Sequence, residues 1–320
     1  MAIIDIFNGD ADGICSLVQL RNADPQDSEL ITGVKRDIAL ANRVKFASGD
    51  EVTILDVSFD KNREGVVAAL NAGANVRYFD HHFAGEIPMH ERLQTHINTA
   101  PDICTSLLVN GYLKGKYRDW AVVGAFGDNL SKSAAACAAP LALSESDVGK
   151  LEALGRYLNY NGYGANIADL HFPPAELYRR VANFTGPLDF IEGDAETFSA
   201  LEEGYHGDLT KAQQLKPYRS SEQSEIYILP GKAWALRVRG VFGNQLANGN
   251  PDQAHAVLIE MDDDNFLVSV RAPLSNKTGA DEICRKFPTG GGRKAAAGIN
   301  SLPREMLDQF VQTLDNYYLA

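Results

Sequence analysis

Asp80, His81 and His82 stand together directly after a short apolar run, residues 75–79 (Asn-Val-Arg-Tyr-Phe). Carboxylate and imidazole groups gathered in one place can hold a divalent metal or move a proton. Successive residues in extended backbone point to opposite sides, so one histidine could take a metal while the other faces a substrate. A second cluster lies near the N-terminus, where Asp10 and Asp12 are separated by one residue and followed by Gly13. In extended backbone their carboxylates share a side, and two like charges held close repel unless a cation intervenes. Taken singly, Asp-Ala-Asp-Gly is an ordinary turn and helix cap, and two adjacent histidines are ordinary solvated loop residues. With Asp56 and Asp128 added, up to five acids (Asp10, Asp12, Asp56, Asp80, Asp128) converge on one rim. Oxygen donors with an imidazole and no thiolate suit manganese or magnesium better than structural zinc. Two such ions about 3.5–4 Å apart can acidify a shared water and clamp both the attacking and the leaving oxygen. That chemistry is hydrolysis of a phosphate ester.

The elements that must position these groups are legible as alternating segments. Residues 2–7, 30–34, 51–55 and 75–79 are β-branched or aromatic runs, and three of them end on acids. Helical patterns at 14–20 and 61–71 lie between them, which indicates βαβ units and a parallel sheet. Ligands in such sheets sit outside the carboxyl ends of the strands. Helices are expected at 102–113, starting near Thr105 and Ser106, and at 119–126, and the chain reads as mainly helical from about 131 to 215. The polar run 216–224 is the linker candidate. Beyond it, 225–229, 233–238, 254–259 and 266–271 read as strands of a second domain. The expected division is therefore 1–215, a linker at 216–224, and 225–320.

Hydrophobic residues make up 45% of the 320 and charged residues 22%, which is ordinary for a globular protein. The opening residues have no basic leader, no apolar stretch reaches membrane-spanning length, and Cys15, Cys104, Cys137 and Cys284 are scattered. A cytoplasmic protein with reduced thiols and no membrane contact is expected. A net charge of −12 argues against broad binding to long nucleic acid. Residues 265–294 reverse that sign locally, with six basic residues against two acids, a net +4. Among them Gly290, Gly291 and Gly292 would let backbone amides approach a phosphate, and the Ala-rich segment after Arg293 could be a helix with an anion at its N-terminus. Arg271, ending a strand, is the best single candidate for reaching a substrate. Lys35 and Arg36 end another strand, where they could touch phosphate or equally neutralise acids. Tyr163 beside 159–161 could stack a base, although a polar turn is the plainer reading; His171, His206 and His255 read as structural or surface residues.

The ordered set Asp10-Ala11-Asp12-Gly13, Asp56, Asp80-His81-His82 and Gly127-Asp128-Asn129 resembles the motifs of the DHH phosphoesterase superfamily. Gly290–Gly298 resembles the glycine-rich signature of its associated C-terminal domain, so the likeness runs from residue 10 to 298. It implies an α/β fold with a Rossmann-like parallel-sheet N-terminal domain, a smaller mixed α/β C-terminal domain, and an active site in the cleft between them. By the same likeness Asp10, Asp12, Asp56, His81 and Asp128 match metal-ligand positions, His82 a position facing the substrate phosphate, and Asp80 the acid that orients the histidine loop. Gly290, Gly291, Gly292 and Arg293 fall in the glycine-rich signature, and together with Arg271, singled out by its place at a strand end, they are the expected substrate-binding residues.

Two departures stand out. No histidine precedes the first aspartate pair, and Asn8, where RecJ-like members carry an acid, could supply only a neutral oxygen. Arg293 replaces the usual histidine of the glycine motif, keeping a charge that can grip phosphate. The expected activity is a phosphodiesterase using two Mn2+ ions, with Mg2+ as substitute. It would cut short oligonucleotides or single-stranded ends to 5′-mononucleotides, with 3′–5′ polarity favoured. A cyclic- or linear-dinucleotide phosphodiesterase, a non-catalytic nucleotide sensor with a decayed metal site, and a homodimer stay open. Replacing Asp12 by Ala is expected to leave the fold intact, because it removes one of several repelling acids.

Overall fold

The computed structural model describes residues 1–261 and 264–319. It divides into two compact units, Met1–Glu203 and Gly204–Ala320. The first unit contains β1 (Ile3–Asn8), α1 (Ala11–Ala23), β2 (Glu29–Gly33), β3 (Glu51–Leu55), α2 (Phe59–Ala72), β4 (Asn75–Asp80) and β5 (Leu93–Ile97). Helices α3 (Thr105–Tyr112), α4 (Arg118–Gly127), α5 (Ser131–Ala138), α6 (Glu145–Asn161), α7 (Pro174–Val181) and α8 (Pro187–Gly193) follow. Helix α9 (Ala195–Gln213) carries the boundary.

Among the described residues β1–β5 form one parallel sheet in the order β2-β1-β3-β4-β5. Alternation of side chains across the pleat builds its two faces. Ile4, Ile6, Val52, Ile54, Val76 and Tyr78 pack beneath α2 through Phe59, Val66, Ala69 and Leu70. Phe7, Leu55 and Phe79, aligned in one cross-strand row, are fully buried on the other face. Both faces are covered, which is why the central strands read as unbroken apolar runs. The exception is the cross-strand row Asp5, Thr53 and Arg77, in which Asp5 is fully buried and held by Arg21 (Nη2 to Oδ1, 2.5 Å; Nε to Oδ2, 2.8 Å) and by Ser28. Strand order reverses between β1 and β3, so their carboxyl ends open the crevice in which such sheets bind ligands. The next residues past that row are Asn8, Asp56 and Asp80. Strand β5 is half-buried and polar (Leu-Gln-Thr-His-Ile), which hid it in the sequence.

The second unit contains β6 (Arg219–Ser220), β7 (Ser224–Leu229), α10 (Ala233–Gly249), β8 (Ala254–Glu260), β9 (Asn265–Arg271), α11 (Ala280–Cys284), β10 (Gly290–Arg293), β11 (Ala296–Pro303) and α12 (Leu307–Tyr318). Its described strands form a mixed sheet ordered β10-β11-β9-β8-β7-β6, with β7 and β8 parallel. Ile283, Phe287, Phe310 and Leu314 pack against Leu258, Val268, Val270 and Ile299 in its core. The molecule is thus α/β, with a parallel sheet in the first unit and a mixed sheet in the second.

Three expectations change. Residues 233–238 alternate like a strand but open helix α10. Its buried positions Ala235, Val238, Arg239, Phe242 and Gly243 recur at helical spacing. The Ala-rich segment after Arg293 is strand β11, hydrogen-bonded on both sides to β10 and β9, so no helix N-terminus offers an anion site there. The polar run 216–224 holds β6 and a tight turn paired onto β7 (Tyr218 N to Ile226 O, 2.8 Å), within the second unit. Among the described residues no helix is long and apolar enough to cross a membrane.

Candidate metal centre

Each acid reaches the rim through a local backbone device. Asp10 is the N-cap of α1, its Oδ1 accepting from the Gly13 amide at 3.1 Å. Gly13 sits so close to the Asn8 backbone that a Cβ would collide with it. Asp56 follows β3 with φ 59°, a left-handed conformation that aspartate tolerates better than most residues. Its amide donates to the Phe79 carbonyl at 3.0 Å, which ties the turn to β4. Asp128 is the C-cap of α4. That helix must lie against its neighbours, because a Cβ at Gly127 would meet Ala11 and the Gly155 carbonyl.

Asp12 is buried and gripped from a distant element. Its Oδ2 accepts from the Thr105 amide (2.7 Å), and its Oδ1 from the Ser106 amide (2.8 Å) and the Ser106 hydroxyl. These amides are the unpaired donors at the start of α3, so Asp12 caps that helix across more than ninety residues of sequence. Thr105 Oγ1 also donates to Asp56 Oδ1 at 3.0 Å. Neither Thr105 nor Ser106 stood out in the sequence as a site residue. A Thr-Ser pair opening an apolar helix was the available signal.

The histidines divide their work through their Nδ1 atoms. His81 Nδ1 donates to the Ile103 carbonyl at 2.9 Å, which leaves Nε2 as the unprotonated acceptor. That Nε2 lies 3.4 Å from Asp56 Oδ1, 3.7 Å from Asp128 Oδ2 and 4.0 Å from Asp12 Oδ2. Donors roughly 2.1 Å from a shared Mn2+ or Mg2+ ion stand roughly 3.0–3.4 Å apart, so small inward adjustments bring this set to an ion. A carbonyl that fixes the tautomer of a ligating histidine is the usual supporting contact of metal sites. His82 Nδ1 instead contacts Asp80 Oδ1 at 2.7 Å, with its side chain 45% exposed. Asp80 is fully buried, and its Oδ2 has no hydrogen-bond partner among the described residues. The donor groupings within 4.8 Å of one another are Asp12–His81–Asp128 and Asp56–His81–His82. Both contain His81.

Asp10 is differently engaged. Its Oδ2 meets Lys35 Nζ at 2.5 Å, and the same ammonium lies 3.7 Å from Asp128 Oδ1 and 2.8 Å from Asn159 Oδ1. The open question over Lys35 thus resolves towards neutralising acids. Tyr163 faces Lys35 at 5.5 Å, Tyr160 is fully buried, and Asn161 is buried with its amide donating to the Phe172 carbonyl, so the 159–163 stretch braces the site. Asn8 donates to the Lys35 carbonyl at 3.3 Å, while its buried Oδ1 has no partner among the described residues.

Electrostatics follow this geometry. Burial, then the charges of Asp12, Asp10, Asp128 and Asp80, push Asp56 well above the ordinary carboxylate range. Burial raises Asp128 and Lys35 pulls it back, leaving it above that range. Burial would raise Asp10 too, but the Lys35 charge outweighs it and holds the group below. For Lys35, burial works downward, and Asp10 foremost drives it well above the ordinary lysine value. His82 is lowered by burial and raised more by its bond to Asp80, ending above the ordinary histidine value. Acids pushed towards protonation in a water-poor rim are what a divalent cation would relieve.

The residues expected on the substrate side lie in the second unit. Arg271 ends β9 and Arg293 ends β10, both paired with Ala296 of β11, so the two arginines share one face and one row, roughly 10 Å apart. Arg271 is half-buried and donates to Asn244 Oδ1 at 2.7 Å; Arg293 is exposed. Gly291 pairs with Gly298 beside them, leaving a small-residue trough. Gly290 meets the Cys284 backbone and Gly292 has φ 141°, so these glycines are required by packing and conformation as well.

No family profile and no curated protein matches this chain in sequence. Its fold does match solved structures. The exonuclease RecJ bound to manganese superimposes with a TM-score of 0.62 at 15% identity, over 99% of this chain and 90% of that one. RecJ in complex with Mn2+ from Thermus thermophilus gives 0.66 at 16% identity over 99% of this chain. The chain spans about half of that RecJ, 52%. The DHH domain of a protein assigned to a family of ribosomal proteins gives 0.66 at 13% identity, over 99% and 86% of the two chains. The fold is shared with these RecJ and DHH-domain structures.

Proposed function

We propose that this chain is a metal-dependent phosphodiesterase that shortens oligonucleotides or single-stranded nucleic-acid ends to 5′-mononucleotides, with 3′–5′ polarity, using manganese. One observation carries the reading: His81 Nε2, its tautomer fixed by the Ile103 carbonyl, converges with carboxylates of Asp12, Asp56 and Asp128. The RecJ structures of the same fold are manganese complexes, and one is an exonuclease, which supports the metal and the substrate class.

Bound there, such an ion would polarise a phosphate and acidify water. The chain's own groups supply the rest. Asp12, Asp56 and Asp128 concentrate negative charge on that point, and α3 and Lys35 hold two of them in place. His82 is half-exposed at the rim and charged more readily than an ordinary histidine, so it can offer a proton or positive charge to a developing phosphate oxyanion. Asp80 fixes its ring. Arg271 and Arg293, sharing one row, suit two phosphates of a chain or the two halves of a dinucleotide. Short substrates also fit the net charge of −12, which repels long polyanions.

The test incubates the full chain and Mn2+ with end-labelled RNA and DNA from dinucleotides upward, and with cyclic dinucleotides. Stepwise release of 5′-mononucleotides is expected, and His81→Ala abolishes it. A panel left intact would sink the hydrolase reading in favour of a nucleotide sensor. Cleavage confined to cyclic or linear dinucleotides would replace the exonuclease reading.

A further inference from the structure

Asp128 presents its two oxygens to two different neighbours. Oδ2 faces His81 Nε2 at 3.7 Å, where the donor set for a divalent ion converges, and Oδ1 faces Lys35 Nζ at 3.7 Å. A carboxylate that bridges a two-ion centre is oriented in this way, with one oxygen to each charge. Lys35 occupies the far side of that bridge, and it holds the acid that a second ion would need, Asp10, at 2.5 Å. We infer that the centre binds a single divalent ion, on Asp12, His81 and Asp128 with Asp56 Oδ1 3.4 Å from His81 Nε2, and that the Lys35 ammonium takes the place of the second. The inference rests on the metal-centre reading above and departs from the two ions expected from the sequence.

Three further observations fit it. His81 Nδ1 is committed to the Ile103 carbonyl, so His81 brings one ring nitrogen, Nε2, to the two donor groupings that overlap on it. Asp10 Oδ2 already faces a cation, the Lys35 ammonium, whereas Asp12 is held by neutral amides and a hydroxyl. Asn8 contributes a neutral amide where a carboxylate would be needed to favour a metal over an ammonium, and that amide donates to the Lys35 carbonyl.

Lys35 is also built in rather than adrift. Its amide donates to the Gly162 carbonyl at 2.8 Å, its ammonium to Asn159 Oδ1 at 2.8 Å, and the Tyr163 ring faces it at 5.5 Å. An ammonium withdrawn from water is costly unless it is paired and hydrogen-bonded, and here two carboxylates and an amide oxygen meet that requirement. A divalent ion at this position would have to expel a charge that is already matched.

The experiment strips the full chain with chelator and titrates it with Mn2+ alone, reading stoichiometry by calorimetry and spin coupling by electron paramagnetic resonance. One ion per wild-type chain with an uncoupled spectrum is expected. Lys35→Met, which empties the bridge, should double the stoichiometry and give a coupled pair, whereas Lys35→Arg should stay at one. Two coupled ions in the wild type would overturn the inference while leaving the phosphoesterase reading intact. No bound ion would overturn the metal centre itself. One ion in a folded Lys35→Met chain would show that Lys35 does not occupy a cation's place. Should that variant fail to fold, the wild-type stoichiometry decides alone.

Discussion

Gly124 lies on α4 against the Asp12 cradle, and its replacement by Ala gives a measurable test of how tightly that cradle is built. A Cβ at this position would come within 2.8 Å of Ser106 Cβ and 3.3 Å of Asp12 Oδ1, and closer still to Ser106 Oγ. Alanine in a helix interior otherwise gains about 1 kcal/mol over glycine. Against it stand overpacking, about 1–3 kcal/mol, and a displaced hydroxyl–carboxylate bond, about 1.5–3 kcal/mol. The net expectation is a loss of about 2–4 kcal/mol in denaturant unfolding. Gly149 on α6 has nothing within 4 Å of its would-be Cβ, so Gly149→Ala should show the helix gain alone. Ser106→Ala removes the closest obstacle, leaving the approaches to its Cβ and to Asp12 Oδ1. The double variant Gly124→Ala with Ser106→Ala should therefore be more stable than additivity predicts, by about 1 kcal/mol or more. Mn2+ affinity of Gly124→Ala should fall about 10–100-fold, as for other contacts that orient metal ligands. A Gly124→Ala chain as stable as the Gly149→Ala control, or strictly additive energies, would refute the close approach of α4 to the cradle.

Asp56 holds its proton to higher pH in the folded chain than in the unfolded one, so its contribution to stability is complete below the ordinary value of 3.8 and is lost as pH rises through the elevated one. Asp56→Asn cannot ionise, so in chelator its unfolding midpoint should gain on wild type as pH rises above 3.8, and a constant difference would contradict the crowding of acids. His81→Ala should weaken Mn2+ binding by more than the roughly 10–100-fold a supporting contact is worth, measured calorimetrically. His82→Ala should keep Mn2+ affinity and lose about 10²–10⁴ in kcat; an equal loss of metal binding would make His82 a ligand instead. Arg271→Ala and Arg293→Ala should each raise KM for an oligonucleotide about tenfold with little change in kcat, and unchanged KM would remove them from substrate contact.

The parallel sheet was legible because β1, β3 and β4 are buried on both faces and carry dense apolar runs, two of which stop on acids, Asp56 and Asp80, and the third on Asn8. Its edge strand β5 was not, because a half-buried edge needs no such run. In the second unit, 233–238 shows how six residues can satisfy a two-residue period by chance when the helix they belong to is longer. Of the acids near His81, Asp56 stands at a strand end in the sequence, whereas Asp12 lies in α1 and Asp128 caps α4. Lys35 could not be assigned, because its role depends on Asp10 and Asn159, which sequence places 25 and 124 residues away. The same limit applies to Asp12. As one repelling acid among several it looked dispensable to the fold, yet it caps α3 through two amides and a hydroxyl. Asp12→Ala therefore strips a helix of its cap as well as a metal of its ligand.

The left-handed turn at Asp56 shapes how this site can change over generations. Backbone sterics there admit aspartate, asparagine and glycine with least strain and disfavour glutamate, although glutamate carries the same charge. Asparagine and glycine are each one base change from aspartate, and neither ionises. A lineage released from selection for hydrolysis can thus cross from a charged centre to a neutral one in a single step without disturbing the turn. Under the proposed function, the feature that holds the acid in place is the one that would let a phosphate-cleaving site pass quietly into a phosphate-sensing one.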